Sequence, residues 1–255
     1  MSEKPKTIII TGGASGIGYA FAEHLAQAGH RIVIADLRGA EEAAGRLKTA
    51  GHQVLGVQAD VVSEADVAHM AEAATAEFGG IDGLVNNAGL FTTLALKPFE
   101  QITNQEWMRV MEVNTLGPFN CAKAVLPALR KSGRGRLVNI ASTVPIKGPP
   151  NMAHYVASKG AVIAFTRSLA RELAKDHITV NAIAPGGVDT GIWDKADWFA
   201  ALVEQHGGRD AALAAMARDA TPIGRFASAD EVAGQIGFLL SDMAATMTGT
   251  CMVSD

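Results

Sequence analysis

The feature that most constrains the fold is a short β-branched run that leads directly into a glycine-rich loop. Residues 6–10 (Lys-Thr-Ile-Ile-Ile) are typical of a buried strand, and residues 11–18 (Thr-Gly-Gly-Ala-Ser-Gly-Ile-Gly) open an Ala-rich helical pattern. Glycines let the backbone turn tightly and approach a pyrophosphate, while the helix N-terminus offers unpaired N–H groups. The spacing is GxxxGxG rather than GxGxxG. The segment predicts a phosphate-binding loop, and a purely structural glycine turn is the alternative that it leaves open.

Strand-like and helical patterns alternate along the whole chain. The predicted strands are 6–11, 31–35, 53–59, 82–86, 136–141, 178–184 and 248–253. The predicted helices begin near residues 16, 40, 63, 105, 152 and 229. The alternation predicts one α/β domain over residues 1–255, a doubly wound Rossmann fold with a seven-stranded, mostly parallel sheet and helices on both faces.

Local signals mark where some of these helices start and stop. Ser63 with Asp66, and Ser228 with Glu231, have the spacing of N-terminal helix caps. Gly117 and Pro118 interrupt the helical pattern around Asn114. Proline lacks a backbone N–H, so we expect the helix to kink or end there.

An acidic residue ends the second predicted strand. Asp36 follows the apolar run 31–35 and lies eighteen residues after Gly18, close to the offset at which a carboxylate accepts hydrogen bonds from an adenosine ribose. A carboxylate there would repel a 2′-phosphate by about 1 to 4 kcal/mol at roughly 4 Å. Arg38 could instead bind that phosphate. Because the glycine loop contains no basic residue, the sequence favours NAD over NADP.

Three polar residues form a candidate catalytic group in the second half of the chain. Tyr155 and Lys159 are four residues apart and would share one helix face, and Ser142 ends the apolar run 137–142. A phenol has an unperturbed pKa of about 10, which a neighbouring cation lowers. Tyr155 could then exchange a proton with an alcohol or carbonyl while Ser142 hydrogen-bonds the same oxygen. Alone, the YxxxK spacing also fits a helix with a solvated lysine.

Six motifs in order make the chain resemble the short-chain dehydrogenases/reductases over nearly its whole length. The TGxxxGxG loop is present at Thr11, Gly12, Gly16 and Gly18, and an Asp after the third strand at Asp60. The NNAG motif is residues 86–89 and the PGxVxT segment is residues 185–190. The Asn, Ser, Tyr and Lys of the family's catalytic tetrad match Asn114, Ser142, Tyr155 and Lys159.

The resemblance implies a set of site residues and an activity. The implied cofactor-binding residues are Gly12, Ser15, Gly16, Ile17, Gly18, Asp36, Asp60, Val61, Asn87, Ala88, Gly89, Tyr155, Lys159, Pro185, Gly186, Val188 and Thr190. The implied reaction is hydride transfer between NAD(H) and a secondary alcohol or ketone. Tyr155 is the acid/base, Ser142 binds the substrate oxygen, and Lys159 lowers the tyrosine pKa and binds the nicotinamide ribose. Asn114 holds a water that links Lys159 to solvent, and no metal is required.

The segment 187–221 is the least regular part of the sequence. In relatives this region covers the substrate, and two short helices broken at Gly207-Gly208 would give it a hinge. We expect an apolar, ring-containing substrate. The expected pocket residues are Leu94, Val144, Met152, Trp193 and Trp198. The alternative is that the aromatic residues merely seal a lid against the body of the protein.

Composition excludes several other classes of protein. The net charge of −4 offers no basic surface for nucleic acid or anionic membrane, and no run of 18 or more apolar residues could span a bilayer. Two cysteines, Cys121 and Cys251, match neither a zinc site nor a disulfide framework. With no signal-peptide pattern at residues 1–6, we expect a cytoplasmic enzyme. The family resemblance implies a homotetramer, although the chain stops at Asp255, before the Asp-Gly-Gly segment that often ends family members.

Three other functions compete with the dehydrogenase hypothesis. A non-catalytic dinucleotide-binding regulator would not need Ser142, Tyr155, Lys159 and Asn114 together. Epimerases and dehydratases of the related extended type usually have another glycine spacing and a larger substrate domain. An NADP-dependent 3-oxoacyl-carrier reductase is the closest rival, and Asp36 argues against it.

Overall fold

A computed structural model of the protein describes residues 4–91, 96–191 and 193–255. Within these residues, one seven-stranded sheet and one two-stranded sheet are found. The strands are β1 (Thr7–Thr11), β2 (Arg31–Asp36), β3 (Val54–Gln58), β4 (Gly83–Asn86), β5 (Arg136–Ile140), β6 (Thr179–Pro185), β7 (Val188–Asp189), β8 (Ala227–Ser228) and β9 (Cys251–Ser254). The large sheet has the order β3-β2-β1-β4-β5-β6-β9.

Helices connect most of these strands. They are α1 (Gly16–Gln27), α2 (Ala40–Thr49), α3 (Glu64–Phe78), α4 (Asn104–Met111), α5 (Gly117–Ser132), α6 (Val144–Lys147), α7 (Ala153–Leu173), α8 (Asp197–His206), α9 (Arg209–Ala220) and α10 (Ala229–Leu240). Two predicted caps are confirmed, because the hydroxyls of Ser63 and Ser228 accept from the backbone N–H groups of Asp66 and Glu231. These bonds satisfy donors that have no partner inside the helix.

The β-branched run of β1 shows why the sheet is buried on both sides. Ile8 and Ile10 pack into one core with residues of α1, α2 and α10, whereas Ile9 packs into a second core with residues of α3, α5 and α7. Successive strand residues point to opposite faces, so an unbroken apolar run needs cover on both. The predicted doubly wound α/β fold is confirmed.

Every pairing within the large sheet is parallel. The sheet is therefore wholly rather than mostly parallel. The chain runs outward from β1 to β3 on one side and from β4 to β9 on the other. The strand order reverses between β1 and β4, and a doubly wound sheet binds ligands at the carboxyl ends of its strands beside such a point.

The prediction at Gly117 and Pro118 is wrong in one respect. The helix does not end there, because a π-helical turn, Glu112–Leu116, joins α4 to α5 without a break. Pro118 follows this turn directly and, because it has no backbone N–H, it cannot continue the regular hydrogen-bond ladder at that point. The predicted interruption is therefore a wider turn of helix, of the kind that often occurs at functional sites.

The segment 187–221 contains the two helices that the sequence predicted. α8 ends before Gly207 and α9 begins after Gly208, and Gly207 has a positive φ of 75°. The short pairing of β7 with β8 ties the start of this segment to residues beyond its end.

Candidate active site

A cavity of about 950 Å³ lies beside the carboxyl ends of β1, β2, β4, β5 and β6. It extends from the glycine loop and Asp36 to the aromatic residues of the 187–221 segment. All the implied cofactor-binding residues line it. Of the implied catalytic residues, Ser142, Tyr155 and Lys159 line it and Asn114 does not.

Hydrogen bonds to main-chain groups of the glycine loop fix it against the two neighbouring strands. The Gly12 N–H donates to the Ala35 carbonyl at 2.7 Å, and the Asn87 amide donates to the carbonyls of Thr11 and Gly12 at 3.0 and 2.9 Å. An added Cβ at Gly18 would lie 2.1 Å from the Gly12 carbonyl oxygen. The loop therefore depends on glycine for its close packing.

Asp36 and Arg38 differ in their relation to the cavity. One Asp36 carboxylate oxygen accepts from the Ala14 N–H of the glycine loop at 3.0 Å, and Asp36 lines the cavity. Arg38 is exposed and is not among the cavity-lining residues. A carboxylate has about four acceptor positions, so Asp36 keeps acceptor capacity for a ligand.

Tyr155 and Ser142 both line the cavity wall, and the Ser142 side chain is near enough to Tyr155 to act on its pKa. Tyr155 belongs to α7, and Ser142 follows β5 by two residues. Lys159 lies one helical turn after Tyr155, and its ammonium donates to the Ile140 carbonyl at 2.8 Å. The fold thus brings the predicted serine, tyrosine and lysine together at one end of the central strands.

The predicted effect of Lys159 on Tyr155 does not hold in this structure. Burial raises the pKa of Tyr155 to about 12, and the hydrogen bond from Ser142 opposes this only in part. Burial also lowers the pKa of Lys159 to about 8. The Lys159 ammonium lies 5.9 Å from the tyrosine ring centre and donates to a carbonyl, so desolvation outweighs its attraction for a phenolate.

Asn114 lies in the π-helical turn and braces the loop after β4. Its side-chain oxygen accepts from the Leu90 N–H at 2.8 Å, and its amide donates to the Leu90 carbonyl and to the Ser158 hydroxyl at 3.2 and 3.0 Å. Ser158 in turn donates to the Tyr155 carbonyl at 2.8 Å. Asn114 is therefore connected to the main chain of Tyr155.

Four of the five residues of the expected substrate pocket line the same cavity. Val144, Met152, Trp193 and Trp198 line the cavity, whereas Leu94 lies outside the described residues. The rings of Trp193 and Trp198 meet edge to face at 6.1 Å. These tryptophans both line the cavity and pack against each other.

The comparisons with known proteins agree with this architecture. The family model for short chain dehydrogenases matches residues 6–198. Cis-4-hydroxycyclohexanecarboxylate dehydrogenase of Sinomonas cyclohexanicum is 38% identical, over 98% of this chain and 95% of the relative. This chain belongs to the short-chain dehydrogenase family. A second relative, 4-formylbenzenesulfonate dehydrogenase of Comamonas testosteroni, is 38% identical over 100% of this chain and 98% of the relative. Among solved structures, that of an NAD⁺-bound xylitol dehydrogenase matches with a TM-score of 0.86 and 33% identity, over 97% of this chain and 96% of the other.

Family membership makes this short-chain dehydrogenase an oxidoreductase, and the family uses nicotinamide cofactors. Relatives at similar identity also include 3-oxoacyl-carrier reductases, so membership alone does not define the substrate. No helix within residues 4–91, 96–191 and 193–255 is long and apolar enough to cross a membrane.

The cavity of this short-chain dehydrogenase fits a dinucleotide on its own features. The side-chain oxygen of Asn87 is buried and unpartnered beside the glycine loop, which a Cβ at Gly12 or Gly18 would crowd. The cavity volume is at the upper end of the range for ligand sites, which is about 300–1,000 Å³. Residues from Gly12 to Gly18, with Asp36 and Asp60, would hold the adenosine and pyrophosphate end.

Sequence reasoning missed several cavity residues of this short-chain dehydrogenase. Phe91 packs against Tyr155 with ring centres 5.0 Å apart, and Phe226 stacks on Trp193 at 5.5 Å. Thr143, Lys147, Gly187 and Met216 also line the cavity. Phe91 follows the NNAG motif by two residues, so its position in the sequence was a usable signal. The sequence has no such signal for Phe226, because the pairing of β7 with β8 brings this residue to the site.

Proposed function

We propose that this protein is an NAD(H)-dependent dehydrogenase that interconverts a ring-bearing secondary alcohol and its ketone. The observation that carries the proposal is that Tyr155, Ser142 and Lys159 line one cavity that Asp36 also lines. An acid/base pair and a ribose-binding carboxylate in one cavity match the needs of a nicotinamide-dependent alcohol oxidation.

The catalytic residues have separate tasks in the proposed reaction. Hydride acceptance from the carbinol carbon, and its return, is the chemistry that a nicotinamide would supply when bound in this cavity. In ketone reduction Tyr155 donates its proton to the forming alkoxide, and in oxidation it takes the hydroxyl proton. Ser142 donates a hydrogen bond to the same oxygen and stabilises its developing charge. Lys159 would hydrogen-bond the nicotinamide ribose, and Asn114 positions the backbone of α7 through Ser158.

The high pKa of Tyr155 has a consequence for direction. With a pKa raised to about 12, the phenol keeps its proton at neutral pH and is ready to act as the acid. Ketone reduction therefore starts from protonated Tyr155, which is the populated form at neutral pH. Alcohol oxidation needs the deprotonated phenolate as proton acceptor, and this form becomes populated only at higher pH. We expect the rate of oxidation to rise with pH above neutrality.

The cofactor preference is proposed from the positions of two charged residues. Asp36 lines the cavity and Arg38 does not, so an added 2′-phosphate would meet the carboxylate first. Like charges at roughly 4 Å cost about 1 to 4 kcal/mol, enough for tenfold discrimination or more. We propose NAD as the cofactor, the same one that is bound in the xylitol dehydrogenase structure.

The substrate class is proposed from the walls beside Tyr155. Phe91, Trp193, Trp198 and Phe226 present ring faces and edges, and Val144, Met152 and Met216 add apolar surface. Arg109, Lys147 and Asp219 also line the cavity, so the case against a polyol rests on the greater number of ring and aliphatic side chains there. Two relatives are named for compounds that contain a six-membered ring, a hydroxycyclohexanecarboxylate and a formylbenzenesulfonate. We propose a cyclic substrate, covered by the 187–221 segment acting as a lid.

The second candidate is reduction of 3-oxoacyl groups on a carrier, since relatives at similar identity are named for it. A panel of cyclic alcohols, linear alcohols, polyols and 3-oxoacyl thioesters, assayed by nicotinamide absorbance with NAD(H) and NADP(H), separates the candidates. We expect the highest kcat/KM for a cyclic alcohol with NAD. A preference for NADPH with a 3-oxoacyl thioester would establish the rival function, and Asp36→Ala should lower the NAD preference by about tenfold.

A homotetramer is proposed as the assembly. Trp107 and Met108 of α4, and Leu116 and Phe119 at the junction with α5, are large apolar side chains that are at least one-third exposed in the single chain. Such a group of exposed apolar side chains commonly marks a protein interface. Light scattering of the purified protein tests the assembly, and a monomer at micromolar concentration would contradict it.

A further inference from the structure

One arginine joins helix α9 to the part of the 187–221 segment that lines the cavity. The Arg209 guanidinium contacts the Asp189 carboxylate at 2.9 Å, the Asp194 carboxylate at 3.0 Å and the Thr190 carbonyl at 3.0 Å. All three acceptors lie within the six residues 189–194. In that stretch Thr190, Gly191 and Trp193 line the cavity.

The position of Arg209 within its helix is unfavourable for helix stability. It is the first residue of α9, where the positive end of the helix dipole repels a cation by about 0.3 to 1 kcal/mol. The preceding residue, Gly208, has no side chain to cap the helix. The nearest carboxylate within α9, that of Asp210, is 4.0 Å from the guanidinium and fully exposed, so the cation gains its shorter contacts from the acceptors across the segment.

The geometry of the contact is stronger than that of an ordinary surface ion pair. Exposed pairs usually contribute little, because two flexible side chains must be ordered in solvent. Here a single planar guanidinium meets two carboxylates and a main-chain carbonyl, and such forked networks are the exception to that rule. The carbonyl bond matters most, since it acts on the backbone of Thr190 directly.

A second contact holds the same stretch from the cavity side. The Trp193 indole N–H donates to the Val188 carbonyl at 2.7 Å, and Trp193 stacks on Phe226. Trp193 is thus hydrogen-bonded back to Val188, and Arg209 connects Asp189, Thr190 and Asp194 to α9.

We infer that Arg209 is a positioning residue for the cofactor, acting through the backbone at Thr190 rather than by touching the ligand. The inference rests on the proposed function, because it requires a nicotinamide dinucleotide in the cavity. Without Arg209, residues 189–191 gain freedom that dinucleotide binding must remove. The cost falls on cofactor affinity, while Tyr155 and Ser142 stay in place on α7 and after β5.

The test uses Arg209→Gln, Arg209→Lys and a matched control, Arg130→Gln. Arg130 forms a similar exposed pair with Asp176 at 2.8 Å and is not a cavity residue. NADH affinity is measured by energy transfer from tryptophan, and kcat and KM are measured for both substrates. We expect Arg209→Gln to weaken NADH binding and raise the KM for NAD by about three- to tenfold, with kcat changed less than about twofold.

The variants also separate a positioning role from a merely structural one. Arg209→Lys should recover part of the loss, Arg130→Gln should match the wild type, and all should melt within a few degrees of it. Wild-type NADH affinity in Arg209→Gln, or an equal fall in stability, kcat and affinity for both substrates, would overturn the inference. If the wild-type protein bound neither NADH nor NADPH, the proposed function itself would be wrong. That outcome differs from one in which the wild type binds NADH and Arg209→Gln binds it equally well, which overturns only the inference about Arg209.

Discussion

The two halves of the cavity are built by different physical means. The half around the glycine loop is fixed by main-chain hydrogen bonds between adjacent strand ends, such as that from Gly12 to Ala35. The half beneath the 187–221 segment is formed by side-chain rings that pack edge to face or stacked, such as Trp193 with Phe91 and Phe226. Backbone contacts suit a ligand of constant shape, whereas exchangeable rings suit a substrate that differs between relatives.

Tyr155 lies where the two halves meet, so its loss should have the largest effect. Tyr155→Phe keeps the ring contact with Phe91 and removes only the hydroxyl. We expect turnover to fall by about 10²- to 10⁴-fold, the range for loss of a general acid or base. NADH affinity should change less than about twofold.

Single-turnover absorbance and an NADH titration on the same sample measure the two quantities for Tyr155→Phe. Ser142→Ala should lower turnover in the same sense. Near-normal turnover in Tyr155→Phe would contradict the assignment of Tyr155 as the acid/base.

A side chain at Gly18 should weaken cofactor binding by the glycine-loop half of the cavity and leave the substrate half unchanged. In Gly18→Ala the new Cβ would lie 2.1 Å from the Gly12 carbonyl and 2.5 Å from the Asn87 amide, so the loop must move. We expect NADH affinity to fall by about a hundredfold or more, because the pyrophosphate depends on that close packing. Gly45→Ala in α2 is the control, since its Cβ meets nothing within 4 Å. Equal affinity in the two variants would show that the loop tolerates the side chain.

Burial of Lys159, where the two halves meet, should make the stability of the protein depend on pH. Its pKa is about 8 in the folded protein against the usual 10.5, so between these values the unfolded chain binds more protons. Stability therefore rises with pH in that window, by up to about 3 kcal/mol, and this contribution is lost as the pH falls through 8.

Denaturant unfolding from pH 7 to 10 tests the Lys159 prediction. Tyr155, with its raised pKa, opposes the trend above pH 10, and Cys121, whose pKa burial raises from 9 to about 12, opposes it above pH 9. Lys159→Met should abolish most of the rise, whereas Lys123→Met, which removes an exposed lysine, should retain it. A wild-type profile that is flat from pH 8 to 10 would contradict the burial of a charged amine at this position.

Substitutions in the substrate half should have the smallest effect. They should change the KM for the substrate rather than the turnover number. Trp193→Ala removes a ring system that contacts Phe91, Trp198 and Phe226, whereas Trp193→Phe keeps one six-membered ring and loses the rest of the indole with its N–H. We expect the KM for a cyclic alcohol to be about tenfold higher in the alanine variant than in the phenylalanine variant. Identical substrate KM values in the two variants would mean that Trp193 only seals the segment.

The same contrast explains which parts could be predicted from the sequence. The strands, the glycine loop and the polar residues at strand ends are local patterns, and the structure has them within three residues of the predicted positions. Phe226 could not be found in this way, because β7–β8 pairing brings it to the cavity from 33 residues after Trp193. The pKa of Tyr155 was predicted in the wrong direction, since spacing shows a neighbouring charge but not the extent of burial.

A crystal structure of the protein with NAD(H) tests the central claim most directly. The account predicts the adenosine ribose within hydrogen-bond distance of Asp36 and the nicotinamide ring next to Tyr155, with Thr190 beside it. A dinucleotide bound outside this cavity, or one whose nicotinamide lies far from the hydroxyls of Tyr155 and Ser142, would contradict it.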